Sequence, residues 1–392
     1  MDVLMIAQFA DVAGNSNNRF NTVASVLGRL GADVELVTSS FSHTVKRQRP
    51  APTARNPLYR TTCVREPGYP TNVSIRRILS HRALGRNLTD YLHRRRRPDV
   101  IYCAVPSLDV ADAARTYAKR HGVKFIIDVQ DLWPEAFEMV LRPKRAAHYA
   151  LAPLRSRAQR IYRAADAAVT VSETYSRRVA EARDDEASVS TVYLGTDLER
   201  FDGFTAKRPP EAGYRELVYI GTLGHSYDLP AVFDALRILR HRGQRMRLHL
   251  MGTGPFEDQW RRDTADLRDE VIFHGALDYP EMVSRLRGCD IAVNPIVAGA
   301  AQSITNKVGD YAAAGLPVVN SQECEEYRTL LDAYGAGISC DAGARSIASA
   351  LEKLASDDRL PERAKGSRLM AEEHFDRGVT YRRLGELILD VG

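Results

Sequence analysis

From Gln302 to Asp310 the chain reads QSITNKVGD, and its polar side chains suit one task between them. Ser303, Thr305 and Asn306 are N-cap types, and a helix that opens there leaves backbone N–H groups whose partial positive charge suits a diphosphate. Lys307 adds a full charge beside them. Asp310, one turn further in, would repel a phosphate that it faced, so its carboxylate is better matched to ribose hydroxyls. A capped helix carrying a solvated aspartate is the alternative use of the same residues.

Three more loops have the same character: GTLGHS at 221–226, GTGP at 252–255 and HGALD at 274–278. Gly221, Thr222 and Leu223, then Gly252, Thr253 and Gly254, then Ala276 and Leu277 put glycine or small residues where backbone N–H groups could point at a ligand. Each loop alone is ordinary turn chemistry. Four at the strand ends of one sheet predict a binding edge. Near the N-terminus, QFADVAGNSNNRF places Gly14 and Asn15 before a helix that Asn17 or Asn18 could cap. It lacks GxGxxG, which disfavours a nicotinamide-type dinucleotide site.

The elements that must position these loops alternate. VLMIA, the helical pattern NTVASVLGRLG with Gly31 as its stop, and VELVT form a βαβ unit. VIYCA (100–104), KFIID (124–128), AAVTV (167–171) and SVSTVY (188–193) continue it. After a polar, proline-bearing stretch at 197–217 a second series begins with LVYIG (217–221), a helix from about Leu229 to Arg242, RLHLMG (247–252), VIFHG (271–275), a helix capped by Asp278, DIAVNP (290–295) and LPVVN (316–320). Short apolar strands between helices predict parallel sheets buried on both faces. The fold class is therefore α/β, with two Rossmann-like doubly wound domains. The expected division is 1–205 for the first domain, with a C-terminal helix at 376–392 packing back on it, and 206–375 for the second. Ligands in such sheets sit outside the carboxyl ends of the strands, so a cleft between the domains is the expected site.

At 392 residues the chain is long enough for two cores. Its composition, 44% apolar and 27% charged, excludes fibrous and disordered classes. No stretch approaches the ~20 apolar residues of a membrane span. MDVLMIAQFAD meets Asp11 too early for a signal peptide, which predicts a cytoplasmic protein. The five cysteines form no CxxC pair, and neither HExxH nor DxD occurs, so no metal is expected.

The net charge of +5 is unevenly spread. Residues 76–97 carry eight arginines with Asp90 the one acid, and residues 142–163 carry seven Lys or Arg and no acid. A solvated face, a nucleic-acid surface and an anionic membrane surface all use such runs. Apolar residues interleave with the arginines in RRILSHRALGRNLTDYLHRRRR, which favours a membrane surface; no recognition motif for nucleic acid accompanies the runs.

The motif order resembles the retaining glycosyltransferases of family 4, of GT-B fold, over nearly the whole chain. YIGTLGHSYDL resembles the strand and loop that open the family's nucleotide domain, LHLMGTGP its VGxGP, and VIFHGALDYPEM its base-contacting loop. Gln302 to Asp310 falls on the E-x7-E signature, and DYAAAGLPVV resembles EAMAxGxPVV. VYLGTDLERF resembles NGVDxxxF. DVQDLWPE resembles a motif of bacterial polysaccharide transferases acting on N-acetylated amino sugars, and EHFDRGVTYRRL the closing helix that crosses back to the first domain. The chain departs from the pattern at Gln302 and Asp310, which replace both glutamates. Thr222 and Tyr227 stand where many members carry Arg and Lys on the diphosphate, and Gly14-Asn15 stands for Gly-Gly.

The resemblance implies transfer of a sugar, N-acetylated amino sugars included, from a nucleotide donor, UDP-linked by expectation, to a glycan or lipid-linked acceptor in cell-surface polysaccharide or glycoconjugate synthesis. It implies no metal or other cofactor and retention of anomeric configuration. Lys307, Gln302 and Asp131 are the catalytic candidates, Asp131 as a polar contact to donor sugar or acceptor; Asp131 with Trp133, Pro134 and Glu135 also fits a helix cap. Donor contacts fall on Gly14, Asn15, Ser303, Ile304, Thr305, Asn306, Asp310 and the three glycine loops. The Arg-rich segments imply a peripheral position on the inner face of the plasma membrane and no nucleic acid. A GT-B sugar-nucleotide epimerase and an inactive nucleotide-sugar-binding scaffold subunit are the alternatives.

Overall fold

The computed structural model describes residues 1–12, 18–50, 56–71, 74–105, 107–134, 149–183, 188–208, 213–299 and 303–392. Gly14, Asn15, Glu135 and Gln302 lie outside the described residues. The chain forms two compact units, Met1–Val192 with Val379–Gly392, and Tyr193–Gly378.

The first unit is built on β1 (Asp2–Ile6), β2 (Asp33–Ser39), β5 (Arg60–Val64), β6 (Val100–Val105), β7 (Lys124–Val129), β8 (Ala167–Thr170) and β9 (Val189–Thr191), with a small antiparallel pair, β3 (Phe41–Ser42) and β4 (Arg47–Gln48). The large sheet runs β5-β2-β1-β6-β7-β8-β9 and its pairs are parallel. The strands are apolar almost throughout because helices cover both faces: Val3, Leu4, Met5 and Ile6 are all buried. The chain order reverses between β1 and β6, which makes the carboxyl ends of these strands the place for a crevice.

The second unit carries β10 (Arg215–Ile220), β11 (Met246–Met251), β12 (Val271–Gly275), β13 (Ile291–Asn294), β14 (Val318–Asn320) and β15 (Gly337–Ser339) in the order β12-β11-β10-β13-β14-β15, again parallel. Here the reversal lies between β10 and β13.

The units divide between Val192 and Tyr193, upstream of the polar stretch in which the sequence places the linker. Local pairing explains the shift. Thr196 N–H donates to the Phe375 carbonyl at 2.7 Å and Arg377 Nε to the Leu194 carbonyl at 2.7 Å. Leu198 and Phe201, on the short helix Leu198–Asp202, are buried in the core of the second unit with Val308 and Phe375. At the other end, Tyr381, Leu384 and Ile388 of the helix Arg377–Val391 pack with Val23 and Leu27 in the first unit.

β5, β15 and the β3–β4 pair are not anticipated from sequence. β5 and β15 are edge strands of RTTCV and GIS, too short or too polar to show a strand period. Caps are legible: Asn18 Oδ1 accepts from Phe20 N–H at 3.0 Å and Asp278 Oδ1 from Glu281 N–H at 3.0 Å, while Gly31, with φ of 89°, ends the first helix.

Candidate functional site

In the second unit the predicted loops meet at the carboxyl edge of the sheet. Gly221 N–H donates to the Met251 carbonyl at 3.0 Å, Leu223 N–H to the Thr253 carbonyl at 3.0 Å and Gly252 N–H to the Gly275 carbonyl at 2.8 Å. The three loops after β10, β11 and β12 are thereby held edge to edge. Their closeness requires glycine: a Cβ on Gly252 would lie 1.9 Å from the Gly221 carbonyl oxygen, and one on Gly254 2.2 Å from that of Leu223. Any side chain at these two positions would force the loops apart.

The helix Asn306–Ala313 opens beside them. Thr305 is its N-cap residue, with extended backbone, but its hydroxyl makes no capping bond and is buried without a partner among the described residues. Ser303, Thr305 and Asn306 therefore do not cap with their side chains as the sequence suggests, so among the described residues no side chain competes for the first-turn N–H groups. Ile304 is buried in the core. The Ser303 carbonyl accepts from Gln322 Nε2 at 2.8 Å, and Gln322 Oε1 accepts from Asn294 Nδ2 at 3.2 Å, with Asn320 Oδ1 taking the same amide at 2.9 Å. This buried amide network fixes the entry to the helix. Its members look like ordinary strand ends in the sequence.

Lys307 turns inward from that first turn. Only 7% of it is exposed, and its Nζ has no hydrogen-bond partner and no carboxylate among the described residues. The ammonium sits 3.6 Å from the ring centroid of Tyr227 and 4.1 Å from that of Tyr219. It also lies beside the first glycine loop, since a Cβ on Gly221 would be 3.3 Å from Nζ. Burial lowers its pKa well below the ordinary lysine value. Aromatic faces stabilise a cation only in part, so the charged form of Lys307 is favoured when an anion reaches this site. Tyr227 occupies the sequence position where the resemblance places a lysine, and the lysine of helix Asn306–Ala313 reaches that residue instead.

Asp310 faces a different group. Its Oδ1 accepts from Thr196 Oγ1 at 2.8 Å and from Tyr279 OH at 3.1 Å, and no hydrogen bond reaches Oδ2 among the described residues. Desolvation raises its pKa, against the lowering effects of Thr196, Arg377 and Tyr279. Thr196 and Tyr279 position the carboxylate; neither is evident as a site residue in the sequence. Leu277 packs near Tyr279 against the core, and Ala276 is exposed at the loop tip.

In the first unit Asp131 follows β7, and its Oδ2 accepts from Trp133 Nε1 at 3.0 Å. Trp133 stacks on His81 with centroids 6.1 Å apart and planes 8° apart, and the Arg77 guanidinium lies 4.8 Å from the Trp133 centroid. Tyr69 joins this cluster from the other side, with Arg77 5.5 Å away. Burial, then Arg77 and His43, push the His81 pKa down to about 3, so its ring stays neutral at physiological pH. The aromatic cluster escapes sequence reading because its members come from separate elements.

The Arg-rich runs divide on inspection. Arg95 is buried in pairs with Asp2 at 2.5 Å and Glu35 at 2.7 Å, and Arg157 pairs with Asp109 at 2.7 Å and Asp112 at 3.1 Å. These two arginines hold elements together. Arg76, Arg82 and Arg86 remain exposed on the helix Ile75–Arg94. Among the described residues no helix is long and apolar enough to cross a membrane.

Comparison with known proteins places this geometry in a family. Residues 17–200 match the family model described as Glycosyltransferase Family 4, and residues 214–357 the model described as Glycosyl transferases group 1. A protein of Escherichia coli (strain K12) named as a colanic acid biosynthesis glycosyltransferase, WcaL, is 25% identical over 239 residues, 59% of this chain. The chain spans 58% of the length of that relative. Among solved structures, the sucrose-phosphate synthase of Thermosynechococcus elongatus superposes with a TM-score of 0.72 at 14% identity, covering 100% of this chain and 98% of the other. HepE of Anabaena, solved in complex with UDP, gives 0.70 at 14% identity with 100% of both chains covered. One glycosyltransferase model on each half, and a fold shared along its whole length with such proteins, mean that this chain belongs to the family-4-like glycosyltransferases of GT-B fold.

Proposed function

We propose that the protein transfers a sugar from a UDP-linked donor to a glycan or lipid-linked acceptor in cell-surface polysaccharide or glycoconjugate synthesis, with retention of configuration and without a metal ion. The observation that carries this reading is the buried ammonium of Lys307 beside the uncapped helix start and the glycine loops. Departure of a nucleoside diphosphate needs preorganised positive potential where its charge develops. Lys307 and the first-turn N–H groups supply it. Asp310 Oδ2, which accepts no hydrogen bond among the described residues, would accept from the ribose hydroxyls, and the complexes of HepE with UDP and with UDP-glucose support uridine as the base. The WcaL relative supports a polysaccharide acceptor. Asp131, with Trp133 and Arg77, is the group assigned to the sugar or acceptor, and N-acetylated amino sugars are the first donors to try.

Thermal stabilisation by UDP-, GDP-, ADP- and dTDP-sugars, with and without EDTA, tests the assignment. A ligand at 100 times its Kd adds about 2.7 kcal/mol, so one nucleotide class should raise Tm and EDTA should leave that rise unchanged. No shift with any donor at millimolar concentration would contradict it.

Asp310→Asn should weaken UDP binding about 10-fold or more, because hydrogen bonds to a charged acceptor contribute about 1.5–3 kcal/mol. The fold should survive, since the amide oxygen still accepts from Thr196 and Tyr279. The sign of its stability effect follows from the raised pKa. Between the unfolded aspartate value and the raised folded one the folded state binds more protons, so stability falls as pH rises across that window and is constant above the folded pKa. The variant should therefore lose that pH dependence. Titration calorimetry and melting curves at several pH values read both effects, and unchanged UDP affinity would remove Asp310 from the ribose.

We also propose that the exposed start of the helix Ile75–Arg94 rests on anionic lipid. Ile75, Ile78 and Leu79 are 77%, 52% and 53% exposed, on one helical face beside Arg76 and Arg82. Sedimentation with anionic vesicles at low salt should carry the protein down, and Ile75→Ser with Leu79→Ser should leave most of it in solution. Equal sedimentation of the two proteins would contradict this placement.

A further inference from the structure

The second unit holds a cavity of about 790 Å³ whose lining includes none of the glycine-loop donor candidates, Lys307 or Asp310, and meets the donor loops only at His274, where HGALD leaves its strand. It opens where the sheet breaks the rule for its class. Parallel sheets are normally covered on both faces by apolar side chains and helices. On β11, Leu248 and Leu250 meet the core, whereas the opposite face carries Arg247 and His249; on β12 that face carries Ile272 and His274. The helix Tyr279–Leu286 reaches this side only with Arg285. A sheet face that should be dry is lined instead with cations.

The charges converge and are poorly matched. The guanidinium carbons of Arg245 and Arg247 lie 4.3 Å and 4.1 Å from the centroid of the same ring, Tyr214. Arg208, Arg245 and Arg268 make no ion pair among the described residues, and Lys207 and Arg285 share the single carboxylate of Glu281 at 3.1 Å and 2.7 Å. Arg247, 6% exposed, lies 3.8 Å from Glu216, and its Nε donates to the Asp269 carbonyl at 3.2 Å. Glu216 is in turn held by His249 Nε2 at 2.8 Å, and His249 Nδ1 by His274 Nε2 at 2.9 Å, so the buried floor is rigid. Asp269 is the acid on the lining. Concave clusters of one sign focus potential, and guanidinium forks match phosphate oxygens in pairs. The volume is that of a small-molecule site, with the charge at its walls instead of spread over an open surface.

We propose that this cavity is a second anion site, separate from the donor site, which takes a soluble small molecule carrying a diphosphate or two nearby phosphates. Arg245 and Arg268 grip it from the rim, and Arg247 and Arg285 from the floor. The floor strands β11 and β12 run directly into the Gly252–Gly254 and Ala276–Leu277 loops, so the two sites share a framework.

Titration calorimetry of the full chain with sodium pyrophosphate tests the proposal. The wild type should show two sites. Arg245→Ala with Arg268→Ala, both exposed positions, should weaken one of them at least tenfold while leaving Tm and the UDP isotherm unchanged. Lys307→Met should remove the other site alone. A single site abolished by Lys307→Met, or an isotherm that the double variant leaves unaltered, would overturn the proposal. Because the cavity is read on pyrophosphate, its result stands apart from whether UDP binds at all. Sedimentation with anionic vesicles separates the sources of phosphate: equal behaviour of double variant and wild type marks a soluble ligand, and loss of sedimentation in the variant would move the phosphate to a lipid headgroup.

Discussion

Lys307→Met is expected to lower kcat/KM for sugar transfer by about 10²- to 10³-fold, the scale seen when one preorganised donor to developing charge is removed. The same change should raise the Tm of the ligand-free protein. Lys307 is buried against Tyr219 and Tyr227 with no anionic partner among the described residues, so desolvating its charge or giving up its proton opposes folding until a ligand arrives, whereas a methionine of similar length fits the aromatic cage without that cost. The pH dependence has a definite sign. The folded pKa is depressed, so the unfolded chain binds more protons between that value and the ordinary lysine value, and stability rises with pH across this window. The methionine variant should lose the rise. Steady-state kinetics and melting curves measure both effects. A variant that is less stable and still binds donor would mean that Lys307 is a packing residue.

The largest stability effect is expected at a buried ion pair. In the first unit Arg19 Nε and Asp128 Oδ2 lie 2.7 Å apart with side chains 3% and 0% exposed. Tyr102 OH also donates to Asp128 Oδ2, and Arg19 Nη1 donates to the Val192 carbonyl at 3.0 Å and to Tyr381 OH at 3.4 Å. Asp128→Ala would leave a buried guanidinium without its counter-charge and should cost about 3–5 kcal/mol. Arg19→Met with Asp128→Leu should recover most of that loss, because an apolar pair of similar volume needs no desolvation. Urea unfolding of the three proteins measures it. A loss under about 1 kcal/mol in Asp128→Ala would show that the pair is not what ties the helix after residue 18 to β7 and to Tyr381.

The large elements were legible because they obey simple periods. Apolar strands such as VLMI and LVYI, the caps at Asn18 and Asp278 and the stop at Gly31 are local signals, and the structure uses them all. The edge strands RTTCV and GIS are stabilised by one neighbour each, β2 and β14, which a local pattern does not reveal. The polar stretch after residue 197 looks like a linker from composition, yet Leu198 and Phe201 inside it are core residues.

The candidate site divides in the same way. Lys307 and Asp310 stand in a recognisable motif, and the glycines at 252 and 254 are explained by how closely the loops approach. The groups that set their chemistry come from elsewhere in the chain. Tyr219 and Tyr227 form the cage, Thr196 and Tyr279 hold the carboxylate, and Gln322 pins the loop, at separations that no spacing rule connects. The basic cavity was hidden for a related reason. Arg247 and His249 alternate with Leu248 and Leu250, which in isolation resembles a half-exposed strand.

The most direct test of the donor-site assignment is the crystal structure of this protein with UDP bound. A diphosphate oxygen within about 3 Å of Lys307 Nζ, over the start of the helix Asn306–Ala313, is the predicted result. A UDP molecule whose phosphates lie away from that helix, with Nζ still enclosed by the two tyrosines alone, would contradict the assignment.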